Sequence, residues 1–304
     1  DLGKAGRFKL NQNLGLNFSL DERRYRLLTK EDLVAAVRGM IELNQGIGEP
    51  TEVDHLGNRR VRTVGELIQA QLRIGFIQMG RVVKERMSLQ ARERLPKPSQ
   101  LISIRPIEAR LHSFFASSPL SQYHDQVNPL AGLEHLRRLS VKGPGGLTAE
   151  RASFSVRDAH YTYYGRICPI KTPEGTSIGL TNHLALFARI NELGFLESPY
   201  RKIKKSEAGS TGRSVTDEII YLTASDEEGF VIADASVRLD KKGRIVEERI
   251  PLRHKGEFFF GTADQADLMD VTPRQIVSAS AALLPFLAHD DVNRALMASN
   301  MIGQ

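Results

Sequence analysis

The feature that most constrains the fold is a long periodic stretch at residues 62–89, RTVGELIQAQLRIGFIQMGRVVKERMSL. Val64, Leu67, Ile68, Leu72, Phe76, Met79 and Val83 fall on one stripe of a helix. Gly65, Gly75 and Gly80 lie inside it. Each glycine costs about 1 kcal/mol relative to alanine, so this helix is expected to pack closely against a neighbour. No run of eighteen apolar residues exists, so the stripe is not a membrane span.

Other periods flank it. Residues 29–46 predict a helix in which Leu33, Val37, Met40 and Ile41 recur at helical spacing. Thr29 is its N-cap, and Asp32 completes an approximate capping box. LPKPSQ at 95–100 reads as a break, and IRPIEARLHSFFASS as a short helix burying Phe114 and Phe115. Residues 116–199 are rich in Gly, Pro, Ser and Asn, with ASFSV and HLALFARI as strand-like or half-buried segments. So long an irregular stretch is uncommon unless its loops have a task.

After a polar linker, KKSEAGSTGRS, residues 215–260 hold short β-branched and aromatic runs divided by DEEG and DKKG. These predict a small antiparallel β module with two hairpin turns. TPRQIVSASAALLPFLAHDDVNRALMASNM then predicts two helical pieces separated by Pro285, with Asp290 or Asp291 capping the second. The fold class is α+β in several parts, and no repeat of 20 to 50 residues is evident.

Composition narrows the function classes. The 304 residues carry 42 Lys plus Arg against 36 Asp plus Glu, a net charge of +6 that permits a nucleic-acid partner without requiring one. Cys168 is the only cysteine, which excludes an internal disulfide and a cysteine-built zinc site and fits a reducing, cytoplasmic setting. There is no tryptophan and no regular aromatic stacking set. The start DLGKAGRFKL has no apolar signal core and no initiator Met, as expected of an internal fragment.

The run Gly143 to Gly146 lacks the spacing of a P-loop, because Lys142 precedes the glycines and Leu-Thr-Ala follows. It reads as an exposed turn whose glycines take positive φ. Arg137, Arg138 and Lys142 either meet phosphates or form a solvated face. His289, Asp290 and Asp291 are adjacent and diverge on a helix, so they read as a capped start and not as a metal site. Arg294, one turn in, is either held by Asp290 or points out at an anion. His124 and His135 have no G-x-S-x-G nucleophile beside them, and Glu174 in TPEG is a turn carboxylate as readily as an acid.

The segment FFASSPLSQYHDQVNPLAGLEHLRRLSVKGPGGLTAERASFSVRDAHYTYYGRICPIKTPEGTSIGL closely resembles the β subunit of bacterial-type DNA-directed RNA polymerase, in the region of the fork loop and the rifamycin site. DHLGNRRVRTVGELIQAQLRIG, FLESPYRKI and HDDVNRALMASNM resemble the same subunit in the same order. The resemblance implies five parts. Residues 1–60 end the β lobe, and 61–115 form a helical protrusion segment. Residues 116–197 form the fork, and 198–262 a small external β module. Residues 263–304 begin the helical catalytic-wall and hybrid-binding region.

It implies that the fork loop, with Lys142, Gly143, Gly145, Gly146 and Arg151, faces nucleic acid at the downstream bubble edge. It implies an antibiotic-binding set of Leu120, Ser121, Gln122, Tyr123, Asp125, His135, Arg138, Leu139 and Ser140, with Pro173, Glu174 and Ser177 as a second wall. Ser177, Thr181, Lys142 and Lys171 depart from the residues common at those places, asparagine, isoleucine, leucine and an acid. Arg294 and Asn300 match positions facing the phosphates of the incoming nucleoside triphosphate. No catalytic residue is implied within this stretch, and the expected Mg is held by the partner β′ subunit. The implied partners are β′, α, ω and sigma subunits, DNA template and nascent RNA, in the bacterial nucleoid or plastid stroma and without a membrane. The stretch alone is expected to be inactive. The competing reading is a stand-alone module using the same fold for protein contact.

Overall fold

The computed structural model describes residues 2–48, 50–90, 97–148, 150–205 and 213–304. Helix α1 (Gly3–Leu14) and helix α2 (Lys30–Asn44) are joined through a buried charge pair. Arg7 and Asp32 are 0 % and 1 % exposed, with Nη1–Oδ1 at 2.6 Å and Nη2–Oδ2 at 2.9 Å. Thr29 caps α2 and Asp32 returns the bond to the Thr29 N–H, so the expected capping box is present. The apolar stripe of α2 is not buried. Leu33, Val37, Met40 and Ile41 are all exposed, because α2 meets α1 through Asp32.

Helix α3 (Val64–Gln90) continues as its pattern predicts. A short helix α4 (Pro98–Leu101) starts at a proline, and Leu95 and Pro96 of the expected break lie outside the described residues. Helix α5 (Arg105–Ser117) packs along α3. Gly75 allows this approach, since a Cβ there would stand 3.1 Å from Ile107 Cα and 3.4 Å from Pro106 O. Gly65 and Gly80 face open space, so close packing accounts for one glycine of the three. Phe114 is buried, but Phe115 is exposed and meets it edge to face at 5.3 Å. At helical spacing two adjacent aromatics cannot both face α3.

Helix α6 (Pro129–Leu136) leads into strand β1 (Arg138–Ser140). ASFSV does not form a strand. Helix α7 (Phe154–Arg157) is one turn with Phe154 exposed. HLALFARI is strand only at its ends, where His183 closes β2 (Thr181–His183) and Arg189 opens β3 (Arg189–Ile190). Between them Leu184, Ala185 and Ala188 enter a core with Leu56, Tyr163, Ile167, Leu196 and Ala224. β1 and β2 pair antiparallel with Leu139 opposite Asn182.

The β module is a seven-stranded sheet. β4 (Leu196–Lys205) pairs with β3 and with β5 (Arg213–Thr223). Residues 206–212 of the expected linker lie outside the described residues; its ends belong to the strands, with Lys204 opposite Ser214 and Lys205 opposite Arg213. DEEG is not a hairpin turn. Helix α8 (Ala224–Glu227), capped by Thr223, carries the chain away from β5, whose partner is β4, to β6 (Ile232–Ala233). DKKG does turn the chain, with the Gly243 N–H donating to Asp240 O and a bridge between Leu239 and Ile245. The tight hairpin lies elsewhere, at Lys255 and Gly256 between β7 (Ile250–His254) and β8 (Glu257–Gly261). β9 (Leu268–Asp270) pairs antiparallel with β4 and parallel with β6, so the sheet is mixed, not purely antiparallel.

A charged network links strands of the sheet to α8. Glu227 pairs with Arg166 at 2.6 Å and with Arg253, which also meets Asp270 at 3.3 Å. Tyr200 donates to Glu227, and Tyr164 to Asp270. The chain ends in helix α9 (Ala279–Ala282) and helix α10 (Val292–Ile302), with Pro285 between them. Asp291, rather than Asp290, caps α10, its carboxylate accepting from Asn293 N–H. Among the described residues no helix is long and apolar enough to cross a membrane.

Candidate functional site

The Asn128 side chain accepts from Ala131 N–H, and Pro129 opens α6. This short helix turns Glu134 inward and leaves His135 half-buried at the surface. His135 Nδ1 accepts the Asp125 N–H at 3.0 Å. Its other nitrogen therefore carries the proton of the neutral ring and donates to Gln122 Oε1 at 2.9 Å. Arg138 donates to the same oxygen at 3.4 Å. Burial, then the Arg138 charge, holds the His135 pKa below the usual value. Gln122, Asp125, His135 and Arg138 thus meet, and the His124 ring stacks on His135 at 5.9 Å. Ser121 Oγ donates to Phe115 O, while Tyr123 projects fully into solvent.

Beyond His135, β1 half-buries Leu139 against the main core and exposes Ser140, whose hydroxyl accepts the Lys142 N–H at 3.2 Å. The glycine loop then closes on itself. Gly146 N–H donates to Gly143 O, and a Cβ on Gly146 would lie 2.2 Å from Val141 O. Gly143 has φ +131° and sits against Leu120. Gly143 and Gly145 take the expected positive φ, whereas Gly146 does not and is required by its close approach to Val141. The loop faces α3 and α5 across an open cleft of about 640 Å³, lined among others by Gln71, Phe114, Ser117, Pro119, Lys142 and Gly143. Gln122, Asp125, His135 and Arg138 lie outside this cleft. Arg151 is exposed beside it in sequence, its N–H donating to Thr148 O.

The second wall lies in the loop that leads into β2, the ladder partner of β1. Thr172 Oγ1 donates to Thr181 O and accepts Gly179 N–H. Pro173 is half-buried and Glu174 is exposed. Lys142 Nζ donates to Ser177 Oγ at 2.6 Å, so two of the departing residues touch each other. Thr181 lies opposite Ser140 in the ladder. Of the basic trio considered for phosphate contact, only Arg138 keeps an exposed head. Arg137 is spent on the carbonyls of Ala185 and Leu186, and Lys142 on Ser177.

Arg294 and Asn300 share α10 but do not meet. Six residues turn a helix by about 240°, which sets them on different faces. Arg294 is exposed and contacts Met297 Sδ at 3.4 Å; among the described residues it makes no ion pair. Asn300 Nδ2 donates to Thr172 O at 3.1 Å. Sequence reasoning missed Glu134 altogether and did not foresee that Lys171 turns inward. They are 4 % and 6 % exposed and pair at 3.0 Å. Their positions are far apart in the chain, and no spacing signals such a pair. Among the described residues no three His, Cys, Asp or Glu side chains converge to hold a metal.

Three successive stretches of the chain are similar to known families. Residues 1–62 match the model for RNA polymerase Rpb2, domain 2. Residues 122–190 match RNA polymerase Rpb2, domain 3, and residues 200–272 match the RNA polymerase beta subunit external 1 domain. Together the matches span well over half of the chain, and the first wall from Gln122, the glycine loop and the second wall fall within the domain 3 match.

Proposed function

Because the chain belongs to the second-largest-subunit family of the multisubunit DNA-directed RNA polymerases, which are nucleotidyltransferases, we propose that its middle forms the fork loop and the rifamycin-binding face of a bacterial-type β subunit. The observation that carries this reading is a hydrogen-bonded cluster on the first wall and a tie from the glycine loop to the second. Gln122, Asp125, His135 and Arg138 share hydrogen bonds on one side, and Lys142 crosses to Ser177 on the other. Polar groups together with Leu120, Leu139 and Pro173, which are near them in sequence, offer the mixed lining that an amphipathic ligand needs. The glycine loop suits a path between nucleic-acid strands, since it turns sharply and presents backbone. Arg138 and Arg151 supply charge that meets phosphate without reading sequence.

Arg294 faces the phosphates of the incoming nucleotide. Its planar fork meets two oxygens at once. Asn300 supports the same wall from behind. The chemistry is supplied by magnesium held on the β′ subunit; the residues of this chain bind and orient. Further partners are α, ω and sigma subunits, template DNA and nascent RNA. Exposed Leu33, Met40, Phe115, Phe258 and Phe260 support extensive subunit contact.

The test is RNA length in the presence of rifamycin. A drug on this face blocks the growing transcript, so the assembled enzyme should stop after about two or three nucleotides, at about 3.4 Å per nucleotide step. Full-length RNA at saturating drug would remove the antibiotic role from these residues.

A further inference from the structure

We infer that the buried Glu134–Lys171 pair is a positioning device that clamps helix α10 and so aims Arg294. The inference rests on the nucleotide-facing role proposed above for Arg294. Lys171 Nζ reaches Ser299 O at 2.6 Å as well as Glu134 Oε2 at 3.0 Å. Ser299 lies in the last turn of α10, where carbonyls have no partner within the helix. A buried ammonium there makes a charge-assisted bond and meets the negative end of the helix dipole. The next residue, Thr172, accepts from Asn300, so neighbouring residues grip adjacent positions of α10 and fix its rotation. At the other end Asp291 caps the helix one turn before Arg294.

Glu134 holds Lys171 in place. Its second oxygen accepts the Ser280 N–H of α9 at 2.7 Å, so one carboxylate ties α6, α9 and, through Lys171, α10. Burial alone would raise its pKa, but Ser280 and Lys171 keep it below the usual range. Arg294 has no carboxylate partner among the described residues and touches only a thioether. Its direction therefore follows from where α10 sits, and the clamp sets that.

The test uses reconstituted polymerase carrying the full-length subunit. Glu134→Leu with Lys171→Met replaces the pair by apolar groups, which avoids stranding a buried charge. Promoter binding should be unchanged, kcat should stay within about twofold, and nucleotide KM should rise about fivefold. Lys171→Arg, which keeps the cation, should fall between parent and double variant. In an Arg294→Ala background the apolar pair should add less than about twofold, because both act through one contact. A second pair, Glu134→Gln with Lys171→Gln, keeps hydrogen bonding should the apolar pair fail to assemble, and the same KM rise is expected.

If Arg294→Ala raises KM and neither pair does, the clamp is overturned and the role of Arg294 stands. Fully additive effects also overturn the clamp. If Arg294→Ala leaves KM unchanged, the assignment of Arg294 falls and the clamp falls with it.

Discussion

Asp32 ionises where water scarcely reaches, and Arg7 is the reason it does. The guanidinium fork, then the Thr29 N–H, hold its carboxyl at about 2 against a usual 3.8. The folded pKa is depressed, so this contribution is present above about pH 4 and is lost as pH falls through about 2. The shift corresponds to about 2 kcal/mol. Asp270 has the opposite sign. Burial, opposed by Arg253, raises it to about 6, so its contribution is full below about pH 4 and is lost as pH rises through about 6. Asp32→Asn should lower the urea midpoint of unfolding near neutral pH, by an amount equivalent to at least ~2 kcal/mol, and the gap should shrink as pH approaches 2. An unchanging gap across that range would show that Asp32 gains nothing from Arg7. The capping half of this arrangement was legible, because Thr29 and Asp32 stand three residues apart. The ion-pair half was not, because Arg7 is 25 positions away and no spacing links them.

Among the elements, the tie between the glycine loop and the 172–181 loop carries the clearest consequence. Lys142 Nζ donates to Ser177 Oγ at 2.6 Å and ties the glycine loop to the second wall. Lys142→Leu would free the Ser177 hydroxyl and restore an apolar surface. The assembled enzyme should then bind rifamycin more tightly, by about tenfold for one recovered polar contact. Inhibition titrations of parent and variant decide it, and equal midpoints would contradict the bridge as a barrier. Helices α3, α5 and α10 are readable in the sequence, but α6 is not, because its eight residues lie in a stretch rich in Gly, Pro, Ser and Asn that reads as irregular. The strands were harder. β4 carries Pro199 and a run of basic residues, which obscured it, and the parallel neighbour of β6 is β9, a pairing that alternation does not encode. The residues of the first wall were named from resemblance. Their mutual hydrogen bonds came only from folding α6 back onto residues 122–125.

At the scale of the whole molecule, the apolar faces left open matter most. The apolar residues of α2 recur at helical spacing, yet Leu33, Val37, Met40 and Ile41 stay exposed. Phe258 and Phe260 of β8 and Phe286 before α10 are likewise exposed. Such surface is expected of a subunit that is buried by others. The most direct test is to isolate the natural complex containing this sequence, identify the chains that co-elute and assay DNA-templated incorporation of labelled nucleotides. The account predicts a co-eluting β′ subunit and an RNA product that depends on template and magnesium. A sequence that elutes without such a partner, or a complex with no template-dependent synthesis, would contradict it.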